Sequence, residues 1–277
     1  MVKKLFKHEL AYYLRSMLPI YGILLAIAAL GRVIQFFEAD NSVYNAISAI
    51  SIITFVVAII AVFAMTMVFT ISRFYRNLFT GEGYLSFALP VTPTQHILTK
   101  LSTAVLVFLA SIVVSLLAVC VITAGDVLVE IGKAIGYLVD QLPTILARTF
   151  HDTTVAQWQA NLLLFVIEAI LLIIAILVYD MLLFYGCVTV GQMTQKNRIL
   201  AAVGVYFGYY VFTQIIGTIV LIIAEYLPWD TLADIFNESP ILCIHALVIG
   251  YTLLNLLVAT ALFFVSRFII RRRLNLE

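Results

Sequence analysis

Six long apolar runs restrict what this chain can fold into more than any other feature of its sequence. They occupy residues 17–37, 47–71, 101–125, 159–186, 200–224 and 241–265. An α-helix rises about 1.5 Å per residue, so about 20 apolar residues cross the hydrocarbon core of a bilayer. We therefore expect an all-α polytopic membrane protein with six transmembrane helices, which form a single transmembrane domain over residues 1–277.

The composition agrees with lipid as the main solvent of the chain. Hydrophobic residues make up 64% of the sequence and charged residues 11%, whereas a soluble domain is about 45–50% apolar and about a quarter charged. The net charge of +1 gives no reason to expect a nucleic acid partner. The three cysteines, Cys120, Cys187 and Cys243, lie in or beside apolar runs, and we expect them to be structural thiols.

The distribution of basic residues predicts the orientation in the membrane. Most of the 16 Lys and Arg residues fall on the side that holds both termini. They are Lys3, Lys4, Lys7, Arg15, Arg73, Arg76, Lys100, Lys196, Arg198, Arg267, Arg271, Arg272 and Arg273. The other side holds Arg32, Lys133 and Arg148. Because Lys and Arg are enriched in cytoplasmic loops, we expect both termini to be cytoplasmic.

Two segments outside the apolar runs have amphipathic patterns. Residues 1–16 predict a helix that lies along the cytoplasmic headgroups before the chain turns into the first span, either as an anchor alone or also as a contact for a cytoplasmic partner. The external segment, residues 126–158, begins with apolar residues at helical spacing and carries four charges over 126–143. These charges disfavour a seventh span. The pattern predicts either an amphipathic helix on the outer membrane surface or a small lid packed on the spans.

Catalytic and metal-binding motifs are absent from the sequence. It contains no G-x-x-x-x-G-K-[ST], no H-E-x-x-H and no G-x-S-x-G, which would indicate nucleotide binding, a zinc protease or a serine hydrolase. The four histidines have no metal-ligand spacing. We therefore expect no catalytic residue, no metal and no cofactor in this chain, and we expect that the chain is not an enzyme.

Two acidic residues, Glu168 and Asp180, lie within the fourth run. A charge inside a bilayer is costly and usually faces a bundle interior or an aqueous cavity. One interpretation is a structural ion pair, with Arg32 as a partner for Glu168. The other is that Glu168 lines a substrate pathway or moves with gating, while Asp180 lies near enough to the inner end to reach the interface.

Gly204 and Gly208 form a small-xxx-small motif in the fifth run. Two helix backbones can approach closely at such a motif in lipid. The motif predicts close packing either within the chain or between two chains.

The loop between the second and third runs, residues 72–100, is rich in glycine and proline. We expect the second helix to continue past the membrane, Gly-Glu-Gly at 81–83 to end it, and residues 84–89 to form a short helical turn. Pro90 stops that turn and Pro93 begins the third helix. The result is a rigid cytoplasmic knob, whose apolar residues must be buried against the headgroups, the rest of the chain or another protein.

The sequence FYRNLFTGEGYLSFALPVTPTQHILTKL resembles the segment between the second and third spans of permease subunits of ABC-type-2 (type V-like) exporters. It is most similar to those of Gram-positive bacteria, which have an aromatic-basic-Asn-Leu-Phe run, a Gly-Glu-Gly-Tyr-Leu core and a Leu-Pro-Val-x-Pro exit. The six-span layout, the amphipathic N-terminus and the basic C-terminus fit the same class. In that class the segment contains a coupling helix, which docks on a separate ATP-binding-cassette ATPase subunit.

The resemblance implies a role in ATPase coupling for residues of this loop. The implied docking knob is Gly81, Glu82, Gly83, Tyr84, Leu85 and Phe87. The implied stem is Arg73, Tyr75, Arg76 and Asn77. The implied hinge is Pro90 and Pro93.

The resemblance also implies the partners and the location of the protein. A second permease subunit would complete the translocation pathway as a homodimer or a heterodimer, and ATP and Mg would be bound by the ATPase subunit. The protein would lie in the plasma membrane of a bacterium. Many members of the class enlarge the external segment between the fifth and sixth spans, whereas this chain enlarges 126–158 instead. Two other functions also fit the pattern: a sensory or accessory membrane protein that uses the loop to bind a partner, and a polytopic membrane enzyme with an unrecognised site.

Overall fold

The computed structural model describes residues 2–37, 42–80, 83–84, 91–150, 153–194 and 197–272. The helices of this part of the chain are α1 (Val2–Phe36), α2 (Ser42–Phe79), α3 (Pro93–Ile122), α4 (Asp126–Asp140), α5 (Leu142–Thr149), α6 (Val155–Gly191), α7 (Arg198–Glu225), α8 (Trp229–Glu238) and α9 (Pro240–Arg272). Within these ranges the chain forms no β-strand.

Six of these helices are long and apolar enough to cross a membrane, namely α1, α2, α3, α6, α7 and α9. All six overlap the apolar runs of the sequence. The predicted fold class, an all-α polytopic membrane protein with six transmembrane helices, is therefore confirmed, and the chain is a multi-pass membrane protein.

The chain divides into two compact units, and the boundary between them lies after Lys133, inside α4. In the first unit, α1 packs against α2 and α3. Its core contains Tyr13, Met17, Leu24, Phe55, Val62 and Val107. In the second unit, α6 packs against α5, α7 and α9, and α8 contacts α9.

Hydroxyl groups connect the three long helices of the first unit inside its core. The Ser111 hydroxyl lies 2.7 Å from the Tyr21 hydroxyl and 2.9 Å from Thr66 Oγ1. All three residues are buried. Because a polar group buried in an apolar environment is costly without a partner, these mutual hydrogen bonds fix the rotation of α1, α2 and α3 about their axes.

The N-terminal segment differs from the sequence prediction, because no turn separates it from the first span. α1 runs without interruption from Val2 to Phe36 and contains Pro19. Glu9 and Tyr13 are buried, so one face of residues 2–16 packs within the first unit as part of α1 and not as a separate helix. The physical reason is Glu9, which binds basic side chains of α2 and α3 and holds the segment in line with the span. That the segment lies along the headgroups stays a prediction.

Reciprocal hydrogen bonds in the first turn begin both α3 and α6. Thr92 Oγ1 accepts from the Gln95 backbone N–H, and Gln95 Oε1 accepts from the Thr92 backbone N–H. Thr154 and Gln157 repeat this arrangement. Each such arrangement, known as a capping box, satisfies two otherwise unpaired backbone N–H groups and so fixes where the helix begins.

The external segment contains helices of two kinds. No residue of α4 is buried, and its apolar residues Leu128, Ile135 and Leu138 are exposed. In contrast, α5 packs against α6 and buries Pro143. Of the two interpretations of residues 126–143, the exposure of α4 favours an amphipathic helix on the membrane surface over a lid, since none of its residues is buried.

Candidate functional site

The N-terminal part of α1, the last turns of α2 and the first turns of α3 meet at one buried carboxylate. Glu9 is 3% exposed. Its Oε1 accepts hydrogen bonds from Lys100 Nζ at 2.9 Å and from Asn77 Nδ2 at 2.8 Å, and its Oε2 accepts one from Arg73 Nε at 3.1 Å. We call Glu9, Arg73, Asn77 and Lys100 the Glu9 cluster. The Glu9 carboxylate thus joins α1 to both α2 and α3.

Helix periodicity brings the members of the Glu9 cluster together. Arg73 and Asn77 are four residues apart on α2, so their side chains lie on one face. Arg73 is held further by Tyr12, because its guanidinium carbon lies 3.9 Å from the centre of the Tyr12 ring, which is a cation–π distance. Lys100 lies two turns from the start of α3, next to the predicted cytoplasmic loop.

The ionisation of Glu9 follows from its neighbours. Burial by itself would raise the pKa of this carboxyl, but the charges and hydrogen bonds of Lys100, and then of Arg73, outweigh burial and lower the pKa below its usual value. Glu9 therefore stays ionised at neutral pH and remains a counter-ion for both basic groups. It lies before the predicted first membrane span.

The implied stem residues divide into two groups. Arg73 and Asn77 point into the protein and bind Glu9. Tyr75 is half-buried, with its ring centre 6.5 Å from that of Phe79, and Arg76 is exposed. Arg73 and Asn77 therefore join the loop to the helices, while Arg76 lies on the surface.

The described part of the implied docking knob begins directly after α2. The Gly83 backbone N–H donates to the Thr80 carbonyl at 2.7 Å, so the chain turns there. Gly83 is buried and Tyr84 is 56% exposed. Pro93 of the implied hinge is the first residue of α3. The predictions for Gly81, Glu82, Leu85, Phe87 and Pro90 lie outside the described residues.

A second acidic site lies between α6 and α9. His245 Nδ1 is 2.8 Å from Glu168 Oε1 and 2.9 Å from Oε2. Both residues are half-buried. Within the second unit, the packing of α6 along α9 brings His245 to the carboxylate. The suggested pairing of Glu168 with Arg32, which belongs to the first unit, stays a prediction.

A column of aromatic rings fixes the His245 ring from one side. His245 stacks on Phe165, with ring centres 4.2 Å apart and planes at 7°. Phe165 stacks on Trp158, which stacks on Phe150. Phe150 meets the edge of Phe236 at 5.6 Å. In the predicted orientation this column lies on the outer side of His245, so it joins α5, α6, α8 and α9 near the outer surface.

An apolar groove begins at Glu168 and has a volume of about 430 Å³. We call it the α6–α9 groove. It is lined by Glu168, Leu171, Ile174, Ala175, Ile249, Thr252, Leu253 and Leu256. A mostly apolar pocket with few polar groups is the usual form of a small-molecule site.

The remaining predicted residues lie apart from both sites. Asp180 is half-buried on α6, about 18 Å along the helix from Glu168. Gly204 and Gly208 are exposed, and a Cβ built on either meets no atom within 4 Å. Of the two interpretations of this motif, packing within the chain is not observed among the described residues. The close approach of α6 to α7 occurs instead at Gly191, where a Cβ would lie 2.6 Å from the Ala202 backbone nitrogen.

The described part of the chain contains no group of three His, Cys, Asp or Glu residues able to hold a metal ion. No protein-family model, curated protein or solved structure matches this chain. The fold establishes the class of the protein, which is an all-α polytopic membrane protein with six transmembrane helices. A more specific function has to be argued from the loop sequence and from the two acidic sites.

Three residues of these sites escaped the sequence prediction, namely Glu9, Lys100 and His245. Glu9 is the single acid in a basic N-terminal stretch, Lys100 begins an apolar run, and His245 lies inside another. Each is an ionisable residue that differs in charge or polarity from the residues around it in the sequence. This difference is the sequence signal that could have identified all three.

Proposed function

We propose that this chain is the permease subunit of an ATP-binding-cassette exporter of the ABC-type-2 (type V-like) class. It would lie in the plasma membrane of a Gram-positive bacterium, with both termini in the cytoplasm. A separate ATPase subunit would bind ATP and Mg, and this chain would supply half of the translocation pathway.

The observation that carries the proposal is the Glu9 cluster beneath the loop that resembles a coupling segment. The loop leaves α2 after Phe79 and enters α3 at Pro93. Within about two turns of these points, Asn77 and Lys100 bind the same Glu9 oxygen. Because the Glu9 cluster joins α1 to both α2 and α3, a displacement of the loop would move the three helices together.

The length of α2 supports a contact beyond the membrane. Its 38 residues extend about 57 Å, whereas the hydrocarbon core is about 30 Å thick. In the predicted orientation, the part of α2 near Phe79 that is longer than the hydrocarbon core lies in the cytoplasm, where an ATPase subunit would dock.

The second permease subunit is supported by the exposure of α7. None of its residues is buried, and the small residues Gly204 and Gly208 are open. Small residues permit close helix contact in lipid, and a closed two-fold pair is the simplest assembly of identical or similar chains.

The test is affinity purification of the full chain from bacterial membranes, followed by identification of the bound proteins. We expect an ATPase subunit to co-purify with the wild type. Tyr84→Asp places a charge in the implied docking knob and should abolish this. Tyr226→Asp is the matched control, because Tyr226 is also exposed but lies on the predicted outer side.

Reconstitution of the purified complex distinguishes transport from sensing. An exporter should show ATP turnover that substrate stimulates and that Tyr84→Asp removes. Absence of any ATPase subunit from the wild-type preparation, or its equal recovery with both variants, would overturn the proposal. Recovery of an ATPase whose turnover no cargo alters would favour the sensory or accessory alternative.

A further inference from the structure

The Glu168 carboxylate has fewer hydrogen-bond donors than it can accept. An ionised carboxylate offers about four lone-pair sites. Glu168 contacts His245 Nδ1, and no described Lys or Arg of the second unit pairs with it. A charge at bilayer depth normally persists only where a partner compensates it. The site therefore has room for another positively charged donor.

His245 orients this carboxylate while keeping its second nitrogen free. Its Nε2 is buried and has no hydrogen-bond partner among the described residues. Stacking on Phe165 fixes the ring plane, so Nδ1 stays directed at Glu168. The negative charge at this site is that of the Glu168 carboxylate.

The α6–α9 groove gives this negative charge an apolar extension. From Glu168 to Ala175 the lining runs about 10 Å along α6. The opposite wall is formed by Leu253 and Leu256 of α9, and Thr252 is the single hydroxyl of the lining. The aromatic column covers the other side of His245, so the open direction from the carboxylate is along the groove.

We propose that the α6–α9 groove binds an amphipathic cation. Its protonated amine binds the Glu168 carboxylate, and its hydrocarbon part lies against Leu171, Leu253 and Leu256. A charge-assisted hydrogen bond in an apolar site is stronger than one in water, and burial of the hydrocarbon adds affinity. The binding site rests on these contacts alone. The further identification of this ligand as the exported cargo rests on the proposed exporter function.

The test is a binding measurement on the full chain alone, in nanodiscs of phosphatidylcholine and phosphatidylglycerol. Tritiated decylammonium serves as the cationic probe, because its protonated amine can donate to Glu168, and empty nanodiscs give the background. We expect saturable binding, displaced by dodecylammonium but not by dodecanol at the same concentration, since the alcohol has the chain without the charge.

Two variants act on different parts of the groove. Glu168→Gln removes the charge and should weaken probe binding on the order of tenfold or more. Leu253→Trp should also weaken it, because it fills the groove without touching the ion pair. The matched controls are Glu225→Gln, at the end of α7, and Leu257→Trp, on α9 outside the lining. Both should bind the probe as the wild type does.

Several results would overturn the proposal. They are wild-type binding no higher than in empty nanodiscs, equal binding by Glu168→Gln, and equal displacement by dodecanol. Loss of probe binding when phosphatidylethanolamine replaces part of the phosphatidylcholine would assign the groove to a lipid amine instead of a free ligand. Because no ATPase subunit is present, failure of the exporter proposal leaves these results unchanged.

Discussion

The two units of this protein each bury a carboxylate between helices, but they satisfy it differently. Glu9 accepts hydrogen bonds from Lys100, Asn77 and Arg73, whereas Glu168 accepts from a single histidine. Glu9 fills three of the about four lone-pair sites of a carboxylate, whereas Glu168 adjoins a groove. The number of donors around a buried charge thus separates a carboxylate that holds helices together from one that can bind something else.

The same contrast holds for the packing of the two units. In the first, α1, α2 and α3 share a core and a hydroxyl network. In the second, α7 buries no residue. The first unit shares a buried core among its three long helices, whereas the second leaves α7 uncovered by its own described residues. Four substitutions or changes of condition test this comparison.

The largest effect is expected from Glu9→Gln. It leaves Lys100 and Arg73 without their shared counter-ion, and loss of one partner of a buried ion pair costs about 3–5 kcal/mol. The free energy of unfolding, measured by reversible denaturation in mixed detergent micelles, should fall by that amount. Glu130→Gln is the control, because its pair with Lys133 is exposed and is worth about 1 kcal/mol or less. Equal losses for the two variants would contradict the special role of Glu9.

Acidification should remove part of the same stabilisation. The pKa of Glu9 is lower in the folded protein than its usual value of 4.5. Its contribution is therefore complete above about pH 4.5 and is lost as the pH falls through the folded-state pKa. The difference in thermal unfolding midpoint between wild type and Glu9→Gln should be constant near neutral pH and shrink below pH 4.5. A difference that grows on acidification would contradict the lowered pKa of Glu9 in the folded protein.

Gly191→Ala should have an intermediate effect confined to the second unit. The new methyl group would overlap the Ala202 backbone, and overpacking of this kind costs about 1–3 kcal/mol. Gly204→Ala is the matched control, because its methyl group meets open space and should change the stability of the isolated chain by less than about 0.5 kcal/mol. If Gly204→Ala were the more damaging of the two in the monomer, α7 would have a partner within the chain.

The smallest effect is expected from Glu168→Gln. The glutamine oxygen can still accept from His245 Nδ1–H, so only the charge assistance is lost, at about 1 kcal/mol. The same unfolding measurement applies, with Glu225→Gln as control. A loss as large as that of Glu9→Gln would make Glu168 a structural residue and remove the contrast between the two carboxylates.

The spans and the capping boxes could be predicted from the sequence because their signals are local. An apolar run of 20 residues needs no knowledge of its neighbours, and Thr92 and Gln95 are three residues apart. The Glu9 cluster could not be predicted in the same way, since it depends on which faces of three helices meet. Glu9 and Lys100 are 91 residues apart in sequence, and no spacing rule joins them.

The second acidic site was predictable only in part. A carboxylate inside an apolar run identified Glu168 as a residue needing compensation, but the choice between Arg32 and His245 depends on helix packing. The predicted function of the loop, residues 72–100, stays a prediction. Its stem is joined to the first unit through Arg73 and Asn77, and whether the loop contacts an ATPase is left to the purification test.

The attachment of α7 has a mechanical consequence. Its contacts with α6 lie in its first half, at Ala202, at the Tyr206–Phe184 stack and at the Tyr209–Tyr179 hydrogen bond. Beyond them, residues 210–225 are almost entirely exposed. α7 is therefore held to α6 along its first half, and a change of angle there is magnified over the roughly 24 Å to its last residue.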